Sequence, residues 1–371
     1  MRRLILQLIL STLPVYTYAA STPPPVASAL STALHQIVQG AHANGNFDGV
    51  VVVSQHGKVV YSEAVGMADR AHAVPMRVNT VFRLASQTKQ ITALLIMQEV
   101  VAGHLELNEA ARQVLPELAP STGRVTILQL LQHVSGLPNP SDGPDNVVPA
   151  FYLRSGRDAA DNTKSALDFC SGAPKREPGL MFEYNNCDYL VLGALLEKVT
   201  GKSYAALVQQ RVIEPLKLKS WGVFPADPNR APQVAVGYSA DGTVELPQNV
   251  ATYGAAGAVY GNALDLAQWD EALLAYKLLP KAATTVMFTA DPKLYGEALG
   301  SWAYDAKGAN GPIRVVERQG DIGGTRLLNN LLPDQSASIV ILANTERADL
   351  FNTYSKQGLG YELLKVVAAL Q

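Results

Sequence analysis

Two kinds of residue are scarce in this chain of 371 residues: it contains only 2 cysteines, and charged residues make up 17% of it. The 30 lysines and arginines nearly balance the 32 acidic residues, which gives a formal net charge of −2. This balance provides no broad positive field, so we expect no nucleic-acid partner and no anionic lipid surface. A hydrophobic content of 48% allows a large core, in one large domain or in two interlocked ones.

Several common catalytic signatures are also missing. The sequence contains no Gly-x-Ser-x-Gly, and none of its 6 histidines lies in a His-Glu-x-x-His motif. Because 2 cysteines cannot form a zinc framework, we expect no metal. The triplet Gly201-Lys202-Ser203 resembles the end of a phosphate-binding loop, but it follows a helical pattern instead of a strand. We interpret it as the end of a helix.

The chain begins with MRRLILQLILSTLPVYTYAAS, in which Arg2 and Arg3 precede an apolar run that ends in small residues. This pattern is typical of a signal peptide, here residues 1–20, followed by a Pro-rich linker at 21–30. A transmembrane anchor is the alternative, but polar residues interrupt a run shorter than the roughly 20 residues that a span needs. We expect export to the periplasm or beyond the cell, with no membrane span.

Export bears on the two cysteines, Cys170 and Cys187. An oxidising compartment would permit a disulfide between them that closes a short loop. Two buried free thiols are the alternative, because sequence spacing does not give the geometry that a disulfide requires.

Patterns typical of strands lie at both ends of the chain, and helical patterns lie between them. DGVVVVSQHGKVVYSEAV predicts a hairpin, and PIRVVERQG, TRLLNNLLP and SASIVILANTE predict strands near the C-terminus. Helical patterns such as VTILQLLQHVSGL dominate the middle, and another covers about 361–370. The chain from 31 to 371 therefore predicts an α+β fold, with a sheet part at about 31–83 and 250–371 and a helical part at about 84–249. A cleft between the two parts is the expected pocket.

Ser86-Gln87-Thr88-Lys89 is the only Ser-x-x-Lys in the chain, and it opens an apolar stretch typical of a buried helix. Residues i and i+3 share a helix face, so the Lys89 amine can reach the Ser86 hydroxyl and take its proton. Burial would lower the pKa of Lys89, and a helix N-terminus favours an oxyanion. Ser86 is also a good N-cap residue, so the motif alone is compatible with a structural role.

Four passages together resemble the serine β-lactamase and penicillin-binding protein family, in particular its class C, DD-peptidase and esterase branch. FRLASQTKQ is similar to the segment around that family's nucleophile. LLQHVSGLP, PGLMFEYNNCDYLVLGALLEKVTGKSY and VIEPLKLKSWG are similar to later segments in the expected order, and the resemblance spans about 49–346. It implies a β-lactamase/transpeptidase-like fold, in which helices flank an antiparallel sheet and a helical region is inserted. It also implies a serine hydrolase without a metal or an organic cofactor.

The resemblance makes Ser86 the nucleophile and makes Lys89 and Tyr184 the groups that move its proton. Tyr184 and Asn186 match the family's Tyr-x-Asn motif. Nearby ammonium groups would ease deprotonation of Tyr184, and the Asn186 amide would contact both the substrate and Lys89. A second match, Tyr260-Gly261-Asn262, leads into a predicted surface helix, and we interpret it as coincidental.

The family's third motif, Lys-Thr-Gly or His-x-Gly, is replaced here by Arg318-Gln319-Gly320. Arg318 could bind a substrate carboxylate in place of lysine, and by resemblance Gly320 would let the substrate approach its strand. By resemblance, the backbone amides of Ser86 and Asp321 form the oxyanion hole. The alternative is that Arg318 and Gln319 are merely polar strand residues with recognition altered.

His133 and Ser135 suggest a catalytic triad, but no acidic partner is evident from the sequence. By resemblance they lie in a turn after a helix, so we expect a structural role for both.

These observations predict an exported serine hydrolase that forms an acyl-enzyme with an ester, a D-amino-acid peptide or a β-lactam-like amide. The altered third motif favours an esterase or a DD-peptidase over a class C-like β-lactamase. A penicillin-binding or peptidoglycan-binding sensor without efficient turnover is the alternative of another class. The expected partner is a small-molecule or peptidoglycan-like substrate, and kinship of fold cannot decide among these substrates.

Overall fold

In a computed structural model, which describes residues 25–144, 147–308 and 311–369, the strand-like patterns at the two ends of the chain form one sheet. The strands are β1 (Gly49–Gln55), β2 (Lys58–Val65), β3 (Met67–Asp69), β4 (Val74–Pro75), β5 (Phe82–Arg83), β6 (Gly222–Val223), β7 (Val259–Gly261), β8 (Trp302–Gly308), β9 (Gly311–Ile322), β10 (Thr325–Leu332) and β11 (Ala337–Ala343). The main sheet has the order β2-β1-β11-β10-β9-β8, and its neighbouring strands are antiparallel. Within it, the β1–β11 pair joins the N-terminal hairpin to the C-terminal strands.

Most of the helices lie, in sequence, between the strands that form the two halves of this sheet. They are α1 (Pro25–Ala43), α2 (Gln87–Val101), α3 (Ala111–Val114), α4 (Pro120–Gly123), α5 (Ile127–Leu131), α6 (Asn162–Leu167), α7 (Asn186–Thr200), α8 (Tyr204–Val208), α9 (Glu214–Leu216), α10 (Gly254–Gly257), α11 (Ala263–Leu274), α12 (Lys281–Met287) and α13 (Gly358–Val367). Short 3-10 turns and one π-helical turn at Gln209–Ile213 complete the set. Within the described residues, no helix has both the length and the apolar character that a bilayer crossing requires.

The sheet is covered on both faces because its central strands are apolar on both sides. In β1, Val50 and Val52 lie in a large core with residues of α2, α7 and α11. Val51 and Val53 lie in a second core with residues of α1 and α13. Successive residues of a strand point to opposite faces, so a run of valines fits a strand buried on both sides. The α+β fold predicted from the sequence, with helices flanking an antiparallel sheet, is confirmed.

Some boundaries differ from the predicted ones, each for a local reason. The predicted signal peptide, residues 1–20, lies outside the described residues. Helix α1 already begins at Pro25, inside the predicted linker, and proline is favourable in the first turn of a helix. The pattern VTILQLLQHVSGL gives only the short α5, because His133 has a φ of 57° and leaves the helical conformation. Helix α7 is terminated by Gly201, which has a left-handed backbone conformation. Gly201-Lys202-Ser203 is therefore the end of a helix, as predicted.

Candidate active site

Ser86 lies where β5 leads into the central helix α2. The backbone turns at Ala85 with a φ of 47°, a left-handed conformation that is uncommon for a residue with a Cβ. Ala85 is buried in a small apolar cluster with Phe224 and Ile322, which holds this turn in place. Ser86 occupies the N-cap position of α2, but its side chain makes no capping hydrogen bond. The Ser86 hydroxyl therefore does not cap the helix, which was the structural alternative.

The side chain of Lys89 is fully buried beside Ser86. Its Nζ lies 3.2 Å from Ser86 Oγ, 2.7 Å from Asn186 Oδ1 and 2.9 Å from the carbonyl oxygen of Ala256. Burial, reinforced by the charge of Arg318, holds the pKa of Lys89 well below its ordinary value. A neutral amine has two N–H donors for the two oxygen acceptors and one lone pair for the Ser86 hydroxyl. This geometry fits a resting Lys89 that is ready to accept the Ser86 proton.

Tyr184 contacts Ser86 from the other side. The Tyr184 hydroxyl donates to Ser86 Oγ over 2.6 Å, and Arg318 Nη2 donates to the Tyr184 oxygen over 2.7 Å. Burial raises the pKa of Tyr184, and the charge of Arg318 opposes this effect only in part. A nearby cation thus eases deprotonation, as expected, but burial outweighs it and the pKa of Tyr184 stays above its ordinary value. Tyr184 is a phenol at rest, and it orients the Ser86 hydroxyl by donating to it.

Asn186 is the first residue of α7 and lies at the centre of a buried polar cluster. Its Oδ1 accepts from Lys89, while its Nδ2 donates to Tyr152 Oη over 2.8 Å and to Ser141 Oγ over 3.1 Å. The Tyr152 ring stacks on Tyr253 with 4.0 Å between ring centres. Sequence reasoning missed Ser141 and Tyr152, because they come from the irregular stretch between α5 and α6 and belong to no motif. In this arrangement the Asn186 amide is occupied by protein groups and orients Lys89.

Arg318 is completely buried and presents no surface to solvent. Besides donating to Tyr184, its Nε donates to the carbonyl oxygen of Gln319 over 3.1 Å, and Nη1 lies 3.5 Å from that of Gly300. The guanidinium carbon also lies 4.9 Å from the ring centre of Trp302. The guanidinium is buried among these partners and exposes no surface to solvent, so the binding of a substrate carboxylate by Arg318 stays a prediction. Its charge and its N–H group act on Tyr184.

The remaining residues of this stretch of β9 divide between core and surface. A Cβ added at Gly320 would lie 2.9 Å from the carbonyl oxygen of Leu84 and 3.2 Å from the Cβ of Ala85. Glycine at this position therefore lets β9 approach the turn before Ser86, instead of making room for a substrate. Asp321 is exposed, and its carboxylate lies 3.5 Å from Arg326 Nε.

The free edge of β9 begins close to these residues. Gln319 is half-buried and donates to Glu317 over 2.6 Å. Strand β9 pairs with β8 only as far as Glu317, so its later residues are paired with β10 alone. The oxyanion hole of the Ser86 and Asp321 amides stays a prediction.

The His133 ring packs against the ring of Tyr184. The two rings lie 4.5 Å apart at their centres, and His133 is fully buried. Its Nδ1 lies 2.9 Å from Asp188 Oδ2 and accepts the backbone N–H of Asn185 over 3.2 Å. His133 therefore has an acidic partner that the sequence did not reveal, since Asp188 lies 55 residues away along the chain. The described residues show no hydrogen bond between His133 and Ser86, and Ser135 Oγ instead accepts the Leu137 amide over 3.0 Å.

Glu297 is a further buried group that sequence reasoning missed. It is fully buried, and neither of its carboxylate oxygens has a hydrogen-bond partner among the described residues. Burial raises the pKa of Glu297 to about 8, although the charges of Arg318 and Lys89 lower it. A carboxyl group with this pKa is largely protonated at neutral pH, so Glu297 is not a full ionic partner for the neighbouring cations.

An open cavity of about 710 Å³ adjoins the Asn186 cluster. Ser141, Tyr152 and Tyr253 line one side of it. Its other described lining residues include the carboxylates Asp241, Glu245 and Glu346, but no lysine or arginine. Glu245 forms an ion pair with Arg83, outside this lining. The described residues contain no group of three or more His, Cys, Asp or Glu side chains that could hold a metal ion.

A disulfide joins Cys170 to Cys187, with 5.4 Å between their Cα atoms. It connects the 3-10 turn Phe169–Ser171 to the first turn of α7, next to Asn186. The second Tyr-x-Asn match, Tyr260-Gly261-Asn262, has another structural role: Tyr260 and Gly261 end β7, which pairs with β5, and Asn262 caps α11 by accepting the Asp265 amide.

The fold and the site define a protein of the serine β-lactamase and transpeptidase class, in which Ser86 lies between Lys89 and Tyr184. Comparison with known proteins makes this specific. The chain belongs to the Beta-lactamase family, whose family model matches residues 34–356. The resemblance predicted from the sequence motifs is thereby confirmed.

Individual relatives differ in what they do. Over 189 residues the chain is 37% identical to esterase EstB from Burkholderia gladioli, a match that covers 49% of this chain and 48% of that protein, so it spans about half of either. The structure is similar to D-amino acid amidase from Ochrobactrum anthropi SV3, with a TM-score of 0.76, 21% identity and coverage of 91% and 99%. It is also similar to an octameric penicillin-binding protein homologue from Pyrococcus abyssi, with a TM-score of 0.72, 23% identity and coverage of 90% and 75%.

Proposed function

We propose that this serine hydrolase forms an acyl-enzyme on Ser86 with esters or amides that carry no carboxylate beside the scissile bond. The observation that carries the proposal is the complete burial of Arg318, the one cation of the third motif, against Tyr184. The adjoining cavity has carboxylates and no lysine or arginine among its described lining residues. A substrate carboxylate would lose its hydration there without gaining a cationic partner. This favours a carboxylesterase or an amidase over a β-lactamase or a D-Ala-D-Ala carboxypeptidase.

Acylation follows from the resting hydrogen bonds. Ser86 Oγ attacks the substrate carbonyl carbon while its proton passes to the neutral Lys89 amine, 3.2 Å away. The carbonyl oxygen becomes an oxyanion at the N-terminus of α2, where the amides of Ser86 and Asp321 would donate to it. When the tetrahedral intermediate collapses, the bond to the leaving alcohol or amine breaks, and the leaving group takes a proton from Tyr184. Lys89 then returns its proton to Tyr184, so both groups regain their resting state.

Deacylation repeats these steps with water as the nucleophile. Water attacks the acyl carbon and gives a proton to the neutral Lys89 amine, Ser86 leaves and takes a proton from Tyr184, and Lys89 then returns its proton to Tyr184. The net reaction consumes one ester or amide and one water and yields an acid and an alcohol or amine. No step uses Asp321 or Glu297 as a base.

The proposal is tested by the purified protein on paired substrates that differ in one charge. One pair is an acylated D-Ala-D-Ala peptide and its C-terminal methyl ester; p-nitrophenyl acetate, a chromogenic cephalosporin and a fluorescent penicillin complete the panel. We expect turnover of p-nitrophenyl acetate and of the methyl ester, with a KM for the methyl ester at least about tenfold lower than for the free peptide. Faster turnover of the free peptide or of the cephalosporin would show that the substrate class is wrong.

The nucleophile is tested by Ser86→Ala, with the exposed Ser355→Ala as the matched control. We expect Ser86→Ala to lose about 10³-fold or more of kcat and to form no acyl adduct in mass spectra of acid-quenched protein. Ser355→Ala should behave as wild type. Turnover that survives in Ser86→Ala would remove Ser86 as the nucleophile. Stable labelling by the penicillin without turnover of any substrate would support the sensor instead.

We also propose that the protein is exported. Support comes from the N-terminal pattern of residues 1–20 and from the Cys170–Cys187 disulfide, since structural disulfides persist in oxidising compartments. Fractionation of producing cells, followed by mass measurement of the mature chain, tests it. A protein found uncleaved in the reducing cytosol would contradict the proposal.

A further inference from the structure

Large apolar side chains are exposed in two segments beside Tyr184. Leu180 and Met181, just before Tyr184 in sequence, are 73% and 55% exposed, and Tyr295 is 83% exposed. Phe182 connects the segments, because its ring centre lies 6.1 Å from that of Tyr295. Single exposed apolar residues are ordinary, whereas several that lie together mark a binding surface. We call Leu180, Met181, Phe182 and Tyr295 the apolar rim.

The backbone holds Tyr295 in its exposed position. Tyr295 has a φ of 55°, which is left-handed and unfavourable for an aromatic residue. The preceding 3-10 turn is fixed by Asp291, whose side chain accepts the Lys293 amide over 2.9 Å. After it, the Glu297 amide donates to the carbonyl oxygen of Leu294 over 2.9 Å. A large aromatic side chain kept in solvent by a strained, hydrogen-bonded loop indicates a role outside the core.

The apolar rim is continuous with the reacting atoms. The Ala303 amide donates to the carbonyl oxygen of Gly296 over 2.8 Å, which attaches the Tyr295 loop to the start of β8. There the Trp302 ring lies nearly parallel to that of Tyr184, with 6.2 Å between ring centres. The Tyr184 hydroxyl in turn lies 2.6 Å from Ser86 Oγ. A series of ring contacts and one backbone hydrogen bond therefore connects Ser86, through Tyr184 and Trp302, to the loop that carries Tyr295.

Charge distinguishes this side of Ser86 from the opposite side. Glu183, the ionisable residue between Phe182 and Tyr184, forms ion pairs with Lys175 and Arg176. The cavity on the side of Tyr152 has a mixed lining instead, in which three carboxylates and several polar groups lie beside apolar residues such as Val147, Val148 and Leu246. An apolar group of a substrate would have carboxylates among its neighbours in that cavity, whereas the apolar rim has no charged member and burial against it is favourable.

We infer that the apolar rim binds an alkyl or aryl group of the substrate and thereby selects esters or amides with a large apolar group. The inference rests on the proposed function, because it assigns the substrate group that lies beyond the acyl-enzyme site. The apolar group can belong to the acyl part or to the leaving group, and both use the same hydrophobic chemistry.

The test compares Tyr295→Ala with Tyr354→Ala on two ester series. Tyr354 is a suitable control because it is 74% exposed and packs on Tyr304, which lies against the opposite core of the sheet. One series lengthens the acyl chain of p-nitrophenyl esters from acetate to octanoate, and the other lengthens the alcohol of acetate esters. In one of the two series, we expect kcat/KM of the wild type to rise by up to about fourfold per methylene. Tyr295→Ala should lose about tenfold on the longest member of that series, mainly through KM, and less than about twofold on the acetate.

Two results would overturn the inference: a chain-length dependence that Tyr295→Ala leaves unchanged, or an equal loss in Tyr354→Ala. Light scattering of each variant identifies the competing role, since a rim that joins subunits would change the molar mass and leave the chain-length dependence intact.

If the wild type hydrolyses no ester, the proposed substrate class fails while the inference is still tested by covalent labelling. Alkyl fluorophosphonates of increasing length should then label Ser86 faster as the chain grows, and Tyr295→Ala should abolish the increase. Equal labelling rates at all lengths would overturn the inference independently of turnover.

Discussion

Among the side chains of the site, Arg318 affects the pKa values of its neighbours although it is not exposed to solvent. It donates to the Tyr184 oxygen, and its charge lowers the pKa of both Lys89 and Tyr184. Lys89 accepts the Ser86 proton only in its neutral form, so a nearby fixed cation keeps the base available at lower pH. The departure from the family's usual third motif thus retains a positive charge, which in the proposed mechanism acts on Tyr184 and not on the substrate.

We predict that Arg318→Met lowers kcat about 10- to 100-fold at neutral pH, because a charge-assisted hydrogen bond to Tyr184 is lost. The pKa of Lys89 should rise without the neighbouring cation, so the acid limb of kcat/KM moves to higher pH and part of the activity returns in alkaline buffer. The pKa of Tyr184 should rise as well. A pH profile of kcat/KM with p-nitrophenyl acetate measures both effects.

Arg314→Met is the matched control, since Arg314 lies on the same strand, is about one third exposed and pairs with Asp305. Its profile should superimpose on that of the wild type. If Arg318→Met instead raises KM only for substrates that carry a carboxylate, with kcat and the pH profile unchanged, Arg318 binds substrate and the role assigned here is wrong.

Among the secondary-structure elements, β9 positions the site through its close approach to the turn before α2. Gly320 permits this approach, since an added Cβ would lie 2.9 Å from the carbonyl oxygen of Leu84 and 3.2 Å from the Cβ of Ala85. Its φ is not in the left-handed region, so the requirement for glycine comes from contact and not from backbone conformation. The proposed oxyanion hole depends on the same spacing, because one of its amides is on each element.

We predict that Gly320→Ala destabilises the protein by about 1–3 kcal/mol through overpacking and lowers kcat about 10- to 100-fold by displacing β9 from Ser86. Gly40→Ala is the control, because a Cβ there meets nothing within 4 Å and Gly40 lies inside helix α1. That variant should keep full activity and gain up to about 1 kcal/mol of stability. Urea unfolding and ester kinetics on both variants measure the two quantities. Unchanged kcat in Gly320→Ala would show that β9 does not set the geometry at Ser86.

The elements also show which features a sequence can reveal. The Ser86–Lys89 contact was predictable because both residues lie on one helix face, and the hairpin of β1 and β2 was predictable from its alternating and β-branched residues. The contacts of Asn186 with Tyr152, and of His133 with Asp188, join segments 34 and 55 residues apart, and no spacing rule specifies them. The burial of Arg318 was unpredictable for the same reason, since it depends on Tyr184 and Trp302 from two other elements.

For the chain as a whole, the disulfide links global stability to the site. Cys170 and Cys187 are both fully buried, and the bond between them spans 17 residues that connect a 3-10 turn to α7. Such a link restricts the unfolded chain more than the folded one. By the loop-entropy relation, a loop of this length corresponds to about 3 kcal/mol of stability.

We predict that the double variant Cys170→Ala/Cys187→Ala unfolds with a free energy lower by about 3 kcal/mol and a Tm lower by about 4 °C. Both sulfur positions are buried, so replacing them by alanine also removes some packing, and the loss should not be smaller than the entropic part.

Dithiothreitol should lower the Tm of the wild type and leave that of the double variant unchanged. Because Cys187 adjoins Asn186, which orients Lys89, fraying of the first turn of α7 should reduce kcat before global unfolding begins. Activity measured against temperature, with and without reductant, separates the two effects: equal curves for reduced and oxidised wild type would show that the disulfide supports neither the fold nor the site.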